Sequence, residues 1–208
     1  MQLVLASNNA HKLAELQALF DPLGVVLVRQ GDLAIAEADE PHLTFIENAL
    51  AKARHAARHA QCAAMADDSG LCVDALGGAP GVRSARYAED FGQPKTDAAN
   101  NRVLLEQLAG ALPAHGPAGH RSACFVCALV AVRSADDPQP LVAVGRWSGV
   151  ILAEGRGSAG FGYDPLLFIA ELNRSVAELS ADEKNARSHR GLAARDMLRQ
   201  MREVWRLG

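Results

Sequence analysis

Two adjacent carboxylates, those of Asp67 and Asp68, are the side chains in this sequence best suited to chemistry. They follow a short apolar run, 63–66, and precede Ser69 and Gly70, so the pattern predicts a strand that ends at the acidic pair. Neighbouring carboxylates repel each other unless water, a metal ion or cationic side chains offset the repulsion. A hard divalent metal suits such a pair, and a solvated turn rich in Asp, Ser and Gly is the other interpretation.

A second candidate site lies where the first predicted strand, 2–6, meets the first predicted helix. Beyond that strand, apolar residues recur at helical spacing, at Leu13, Leu16, Leu19 and Phe20. The connecting segment from Ser7 to about His11 therefore lies at a helix N-terminus, where free backbone N–H groups and the helix dipole favour an anion. Lys12 adds a positive charge there, and an ordinary Asn-capped helix is the alternative.

An alanine-rich helix is the clearest helix in the sequence. Thr44 and Glu47 have the spacing of a capping box at its start. Lys52 lies on this helix and either reaches a phosphate or is solvated. His55 and His59 are four residues apart on it, but the Glu of a zinc-binding H-E-x-x-H motif is missing, so we assign them no role.

The second half of the chain alternates between helical, extended and glycine-rich patterns. The predicted order is a helix over 97–108 that stops at Gly110, a loop over 113–119, a hairpin of strands over 122–132 and 141–152, and a last helix that follows a capping box at 180–183 and reaches Trp205. Four glycines lie in the segment 155–162, on both sides of Phe161. Because glycine has no side chain, a flat ligand can approach the backbone there. A bulged turn is the alternative.

Composition limits the classes of protein to which this chain belongs. With 208 residues, 49% apolar and 22% charged, it has the composition of an ordinary globular protein, as one domain or two tightly joined lobes. The net charge of -3 argues against general binding of nucleic acid. No stretch approaches the roughly 20 apolar residues of a membrane span. We expect a cytoplasmic protein with reduced thiols, in which Cys124 and Cys127 lie on opposite faces of a strand.

Four separated motifs occur in one order along the chain. They are Ser-Asn-Asn-x-x-Lys at 7–12, Thr-Phe-x-Glu-Asn-Ala at 44–49, Ala-Asp-Asp-Ser-Gly-Leu at 66–71 and Phe-Gly-Tyr-Asp-Pro at 161–165, with Glu-Lys at 183–184 and Ser-His-Arg-Gly at 188–191. On these motifs the chain resembles the inosine triphosphate pyrophosphatase family, also called the Ham1 or non-canonical purine NTP pyrophosphatases. Asn8 and His11 stand where glycine is frequent in that family.

The resemblance implies a fold, an assembly and an activity. The implied fold is α/β, a single domain over 1–208 with an elongated mixed β-sheet flanked by helices and two lobes around a central nucleotide-binding cleft, and the implied assembly is a homodimer. The implied reaction hydrolyses ITP, dITP and XTP to the monophosphate and pyrophosphate with Mg²⁺. Such chemistry requires a metal and several cations to converge on one site.

The resemblance also implies roles for individual residues. Asp68 is expected to orient and deprotonate the attacking water while contacting Mg²⁺, with Asp67 and Glu40 holding the ion and Asp39 as the substitute for Glu40. The expected phosphate contacts are Ser7, Asn8, Asn9, Ala10, His11, Lys12, Lys52, Ser69 and Lys184. The residues expected around the purine are Phe161, Gly162, Tyr163, Asp164, His189 and Arg190.

Two other functions fit parts of the same sequence. A Maf-like nucleotide pyrophosphatase that acts on pyrimidine or modified nucleotides would share the cleft and the acidic metal site. A nucleotide-binding protein without turnover would need the phosphate segment alone. The adjacent carboxylates count against that last function, because simple phosphate binding favours cations over a repulsive acidic pair.

Overall fold

The chain folds into two compact units that are interleaved along the sequence. A computed structural model of the chain describes residues 2–21, 24–111 and 121–207, so the loop predicted over 113–119 lies outside the described residues. Unit 1 comprises residues 1–68, 127–145 and 185–208, and unit 2 comprises 69–126 and 146–184.

Within the described residues, seven strands form one mixed sheet. They are β1 (Gln2–Leu5), β2 (Val26–Arg29), β3 (Ala64–Val73), β4 (Ser122–Val132), β5 (Leu141–Ile151), β6 (Leu167–Ile169) and β7 (Arg174–Ser175). Their order in the sheet is β2-β1-β3-β4-β5-β6-β7. β1 pairs in parallel with both β2 and β3, whereas β6 is antiparallel to both β5 and β7. The two long predicted strands are therefore neighbours, as the hairpin prediction requires.

Five α-helices accompany the sheet in the described part of the chain. They are α1 (Ala10–Phe20), α2 (Phe45–Ala60), α3 (Asp97–Ala111), α4 (Ala181–Arg187) and α5 (His189–Val204). The side chain of Thr44 accepts a hydrogen bond from the N–H of Glu47 and caps α2 as predicted. No helix among these is long and apolar enough to cross a membrane.

Three predicted boundaries differ from the structure by more than one residue. β3 does not end at the acidic pair but continues to Val73, because Leu71 and Val73 are buried apolar residues that extend the strand. α3 continues through Gly110 to Ala111, since glycine weakens a helix without ending it. The last predicted helix is two helices, α4 and α5, because the side chain of Ser188 caps a new helix by accepting from the N–H of Gly191.

Unit 1 has an apolar layer on each side of its strands. One layer is rich in Leu and Met and includes Leu16 of α1 and Met197 of α5. The other layer packs alanines of α2, among them Ala53 and Ala56, against small residues of the strands such as Ala66. Because alanine side chains are short, α2 lies close to β3, and the helix carries Lys52 towards the acidic pair.

Unit 2 has its own core. Leu71 and Val73 of β3 pack with Leu104 and Leu108 of α3 and with residues of β4, β5 and β6. Gly70 is required by a close approach, since a Cβ there would lie 2.4 Å from both the carbonyl oxygen of Gly81 and the Oγ of Ser84. Ser84 in turn accepts a hydrogen bond from the N–H of Leu71 at 2.9 Å. These contacts fix the half of β3 that follows the acidic pair.

Candidate active site

Asp67 is a buried carboxylate held by cations of two helices. Its side chain has no exposed surface, and its oxygens accept from Lys12 Nζ of α1 at 2.5 Å and from Arg190 Nε of α5 at 2.8 Å. The Sγ of Cys127 lies 3.2 Å from the same oxygen that Arg190 contacts. Burial by itself raises the pKa of Asp67, but Arg190 and Lys12 outweigh that effect and hold the pKa well below its usual range.

This environment changes the interpretation of Asp67. Both of its carboxylate oxygens already face hydrogen-bond donors, and no part of the side chain reaches the surface. The prediction that Asp67 holds a metal ion therefore lacks structural support. Asp67 instead compensates the charges of Lys12 and Arg190, both of which would be costly to bury without a carboxylate partner.

Asp68 has different partners. Its Oδ1 accepts from Lys52 Nζ at 2.9 Å, and the same ammonium donates to Glu40 Oε1 at 2.7 Å. Lys52 also donates to the backbone carbonyl of Asp67 at 3.0 Å. Glu40, and not the exposed Asp39, is thus the acidic partner in this cluster. One ammonium faces two carboxylates, so the cluster of Glu40, Lys52 and Asp68 carries one negative charge in excess.

The second carboxylate oxygen of Asp68 is the unusual atom of this cluster. Asp68 Oδ2 is buried and has no hydrogen-bond partner within the described part of the chain. Burial raises the pKa of Asp68 above its ordinary value, and the charge of Lys52 opposes that rise. Because a buried carboxylate oxygen without a partner costs roughly 1–3 kcal/mol, it points to a group that binds there.

The donor set fits a magnesium ion. Mg²⁺ prefers oxygen ligands and is commonly held by one or two carboxylates together with water and substrate phosphates. Asp68 and Glu40 supply such carboxylates, and Asp68 Oδ2 is a hard donor atom with no hydrogen-bond partner among the described residues. No group of three or more His, Cys, Asp or Glu side chains with metal-binding geometry occurs among the described residues.

The predicted phosphate segment lies at the start of α1. The helix begins at Ala10, and the side chain of Asn9 caps it by accepting from the N–H groups of His11 and Lys12. The Asn-capped helix is therefore confirmed, and the Nζ of Lys12 in its first turn contacts Asp67. The phosphate contacts of this segment stay a prediction. Ser7 Oγ accepts from the N–H of Asn9 at 3.2 Å, which gives the segment a tight turn.

Asn8 connects the same segment to residues 31 and 37. Its Oδ1 accepts from the N–H of Gly31 at 3.0 Å, and its Nδ2 donates to Glu37 at 3.0 Å. A Cβ on Gly31 would lie 2.5 Å from Asn8 Oδ1. The residue that replaces the family's frequent glycine therefore has structural partners of its own.

His189 and Arg190 lie in the first turn of α5. Both are buried, and Arg190 is 2% exposed. The guanidinium of Arg190 donates to Glu15 as well as to Asp67. Gly145 of β5 allows α5 to lie close to that strand, because a Cβ at Gly145 would lie 1.9 Å from the carbonyl oxygen of His189. The structure thus places Arg190 in a buried carboxylate network.

Phe161 and Asp164, two of the residues predicted around the purine, form a second cluster with Lys184 in unit 2, whereas His189 and Arg190 belong to unit 1. Asp164 Oδ2 accepts from Lys184 Nζ at 2.7 Å and from the N–H of Phe161 at 2.9 Å. The ammonium of Lys184 lies 4.6 Å from the centre of the Phe161 ring. One face of this ring therefore has a cation beside it, and an aromatic ring of this kind can stack with a base.

Tyr163 and Gly162 have different environments within this loop. Tyr163 is buried, and its hydroxyl donates to the carbonyl of Ser84 at 2.9 Å, so its side chain belongs to the core of unit 2. Burial raises the pKa of Tyr163 above its usual range. Gly162 has a φ of +61°, and a Cβ there would meet nothing within 4 Å. The loop thus presents backbone, not the tyrosine ring, to open space.

Several residues that contact these clusters were not predicted from the sequence. Glu15 and Cys127 contact the Arg190 and Asp67 network, and Asp97 and Asn101 contact the backbone of Gly162. Glu15 and Asn101 look like ordinary helix residues, and Cys127 like a buried strand residue. The partners of these residues are distant in the sequence. No local pattern therefore distinguishes them from other residues of a helix or a buried strand.

A model of the Ham1 family matches residues 3–200 of the chain. The chain belongs to the Ham1 family. The resemblance drawn from the separated motifs is thereby confirmed across nearly the whole length.

Relatives of this Ham1 chain are similar over their full lengths. The dITP/XTP pyrophosphatase of Methylibium petroleiphilum is 61% identical over 213 residues, which cover 99% of this chain and 99% of that protein. The dITP/XTP pyrophosphatase of Paracidovorax citrulli is 59% identical over 205 residues, covering 99% of this chain and 100% of that protein.

Solved Ham1 structures have the same fold. A HAM1 protein from Coxiella burnetii superposes with a TM-score of 0.88 at 42% identity, covering 98% of this chain and 100% of that chain. The Staphylococcus aureus Ham1 protein superposes with a TM-score of 0.81 at 34% identity, covering 98% of each chain. The expected mixed β-sheet flanked by helices is confirmed, and the remaining features of that expectation stay predictions.

Proposed function

We propose that this protein is a nucleoside triphosphate pyrophosphatase that hydrolyses dITP, XTP and ITP to the monophosphate and pyrophosphate. Relatives with 59–61% identity carry the name dITP/XTP pyrophosphatase. The structural observation that carries the proposal is Asp68, a buried carboxylate with one oxygen held by Lys52 and the other without a hydrogen-bond partner in the residues that the structure describes. A carboxylate in that state is suited to accept a proton from water.

Asp68 is the proposed general base. Attack of a water oxygen on phosphorus breaks the phosphoanhydride between the α- and β-phosphates, and the proton of that water passes to Asp68. Lys52 Nζ donates to Asp68 Oδ1 at 2.9 Å and keeps the carboxylate in place for this transfer. Burial raises the pKa of Asp68, which makes its carboxylate a stronger base than that of an exposed aspartate.

Cations of unit 1 supply the proposed phosphate contacts. Lys12 and Lys52 each face a carboxylate in the structure, and both ammonium groups are largely buried. In a buried site a cation interacts with phosphate more strongly than it does in water. The segment from Ser7 to Lys12 gives the backbone and side-chain donors, and Ser69 follows Asp68 directly in β3.

Asp68 and Glu40 are the proposed ligands of Mg²⁺. When bound, the ion would neutralise phosphate charge and lower the pKa of a coordinated water. Lys52 holds both carboxylates, at 2.7 Å and 2.9 Å, and so fixes their separation. Asp67 is assigned a positioning role for Lys12 instead of a place on the metal.

The cluster of Phe161, Asp164 and Lys184 is proposed to bind the nucleotide in unit 2. Phe161 offers a ring for stacking, and Lys184 is the remaining predicted phosphate contact. A keto group at C6 of the purine needs a donor, whereas adenine presents an amino group there. Two donors that face each other stay unpaired, at a cost of roughly 1–3 kcal/mol each, which favours ITP and XTP over ATP.

A pyrophosphate-release assay tests the proposal. Phosphate is measured after addition of inorganic pyrophosphatase, with ITP, dITP, XTP, ATP, GTP, UTP and methylated UTP as substrates, with Mg²⁺ or with EDTA. We expect turnover of the three deaminated purine nucleotides and its loss in EDTA. Preferential turnover of UTP or methylated UTP would favour the Maf-like alternative, and nucleotide binding without pyrophosphate release would indicate a binding protein. The homodimer stays a prediction, which sedimentation velocity tests.

A further inference from the structure

The backbone of Gly162 is held from both sides by α3. Its N–H donates to Asp97 Oδ2 at 2.6 Å, and its carbonyl oxygen accepts from Asn101 Nδ2 at 3.0 Å. Asp97 and Asn101 are four residues apart and therefore lie on one face of the helix. One residue of the loop thus has both of its backbone hydrogen bonds made to side chains of a single helix.

The helix that holds Gly162 is itself fixed in unit 2. Val103, Leu104 and Leu108 of α3 are buried in its apolar clusters. Asn100 anchors the helix further, since its Oδ1 accepts from the N–H of Ala88 at 2.8 Å and its Nδ2 donates to the carbonyl of Ala85 at 3.3 Å. The side chains of Asp97 and Asn101 therefore project from a rigid support.

Neighbours of Gly162 are fixed by other contacts. Tyr163 is anchored through its hydroxyl to Ser84, and Asp164 closes the turn by accepting from the N–H of Phe161. Gly162 has the left-handed φ of +61°, which glycine adopts without a steric penalty but does not prefer over other conformations. Its flexible backbone therefore depends on α3 for its position.

We propose that Asp97 and Asn101 are positioning residues that hold the loop from Phe161 to Asp164 in the conformation that reads the purine base. This inference rests on the proposed function and extends it to residues outside the family motifs. A loop held before the nucleotide arrives loses less conformational freedom on binding, so affinity and base discrimination both increase. Without these contacts Gly162 would sample other conformations, and Phe161 beside it would no longer be fixed for stacking.

Substitutions that remove one contact at a time test this inference. Asp97→Ala removes the acceptor of the Gly162 N–H, and Asn101→Ala removes the donor to its carbonyl. Asp97→Asn keeps an acceptor oxygen and serves as the conservative rescue. Glu106→Ala removes an exposed carboxylate from the same helix, where its contact is an ion pair with Arg102, and serves as the matched control.

Inhibition by the two products separates the base site from the phosphate site. For Asp97→Ala and Asn101→Ala we expect inhibition by IMP to weaken about threefold to tenfold, in line with the loss of one hydrogen bond. Inhibition by pyrophosphate should stay at the wild-type value, and KM for ITP should rise more than kcat falls. The ratio of kcat/KM for ITP to that for ATP should fall, while Asp97→Asn and Glu106→Ala stay at wild-type values.

Three results would overturn the inference. The first is an unchanged IMP inhibition constant and an unchanged ITP to ATP ratio in both alanine variants. The second is an equal loss of IMP and pyrophosphate inhibition, which indicates general damage. The third is a failure of the wild-type protein to bind IMP by calorimetry. Failure of the wild-type protein to release pyrophosphate from ITP is a separate result and contradicts the proposed function itself.

Discussion

Asp67 and Asp68 are consecutive residues of β3, yet different cations hold their side chains. Asp67 accepts from Lys12 and Arg190, and Asp68 accepts from Lys52. Successive side chains of a strand point to opposite faces, so the two carboxylates are directed apart instead of repelling each other at close range. This separation gives Asp67 two cations that lower its pKa, while one oxygen of Asp68 keeps no hydrogen-bond partner among the described residues.

Asp68→Asn should remove the proposed general base without removing the nucleotide site. We expect kcat for ITP to fall about 10²- to 10⁴-fold, the usual contribution of a general base. Binding of ITP, measured by calorimetry on the variant that no longer consumes it, should persist. Turnover near the wild-type rate would contradict the assignment of Asp68.

Glu40→Gln should weaken the dependence of activity on Mg²⁺, because Glu40 is paired with Lys52 beside Asp68. We expect the Mg²⁺ concentration for half-maximal activity to rise about tenfold, equivalent to roughly 1.4 kcal/mol. Asp39→Asn is the matched control, since the neighbouring Asp39 is exposed. If Asp39→Asn changes the magnesium dependence and Glu40→Gln does not, the two assignments must be exchanged.

Lys52→Gln should move the acidic limb of the pH profile. Asp68 must be ionised to act as a base, so kcat/KM falls as the pH falls through the pKa of Asp68 in the free enzyme. Burial raises that pKa and Lys52 lowers it, so removal of the ammonium should shift the acidic limb to higher pH. Lys52→Arg keeps the charge and should shift it less. A shift to lower pH would refute the electrostatic role of Lys52.

Asp67→Asn should destabilise the fold in a pH-dependent way. Breaking a buried ion pair costs roughly 3–5 kcal/mol at neutral pH. Because the pKa of Asp67 is lowered in the folded state, its stabilisation is complete above the unfolded value of about 3.9 and is lost as the pH falls through the folded value.

Urea unfolding of the wild type and the Asp67→Asn variant at neutral and acidic pH measures this effect. The difference in unfolding free energy should shrink as the pH decreases below about 4, where the unfolded carboxylate protonates. Asp32→Asn, at an exposed ion pair with Arg29, should have little effect at either pH. A difference for Asp67→Asn that stays constant with pH would contradict the lowered pKa.

Gly70→Ala should destabilise unit 2, because the new Cβ would lie 2.4 Å from the carbonyl oxygen of Gly81. We expect a loss of about 1–3 kcal/mol, typical of overpacking. Gly110→Ala is the matched control, since a Cβ there meets nothing within 4 Å and lies in α3. It should stabilise by up to about 1 kcal/mol. Equal thermal midpoints for the two variants would refute the packing argument.

Local sequence patterns determined most of the secondary structure. β4 spans the predicted residues Ser122–Val132, and α2 begins after its Thr44 cap. Such patterns suffice because burial on one face and capping of a helix end depend on residues a few positions apart. The separated motifs likewise identified the family, since each motif is short and their order is fixed.

What the sequence could not determine is which charged groups share a partner. Arg190 and Asp67 are 123 residues apart, and only the packing of α5 brings the guanidinium onto the buried carboxylate. Asn101 likewise reaches Gly162 only because α3 is anchored in the core of unit 2. By itself the sequence determined most of the helices and the long strands, together with the chemical types available, but not the short strands β2, β6 and β7. The tertiary structure decided which carboxylate is neutralised and which keeps a reactive oxygen, because burial and charge pairing depend on residues far apart in the chain.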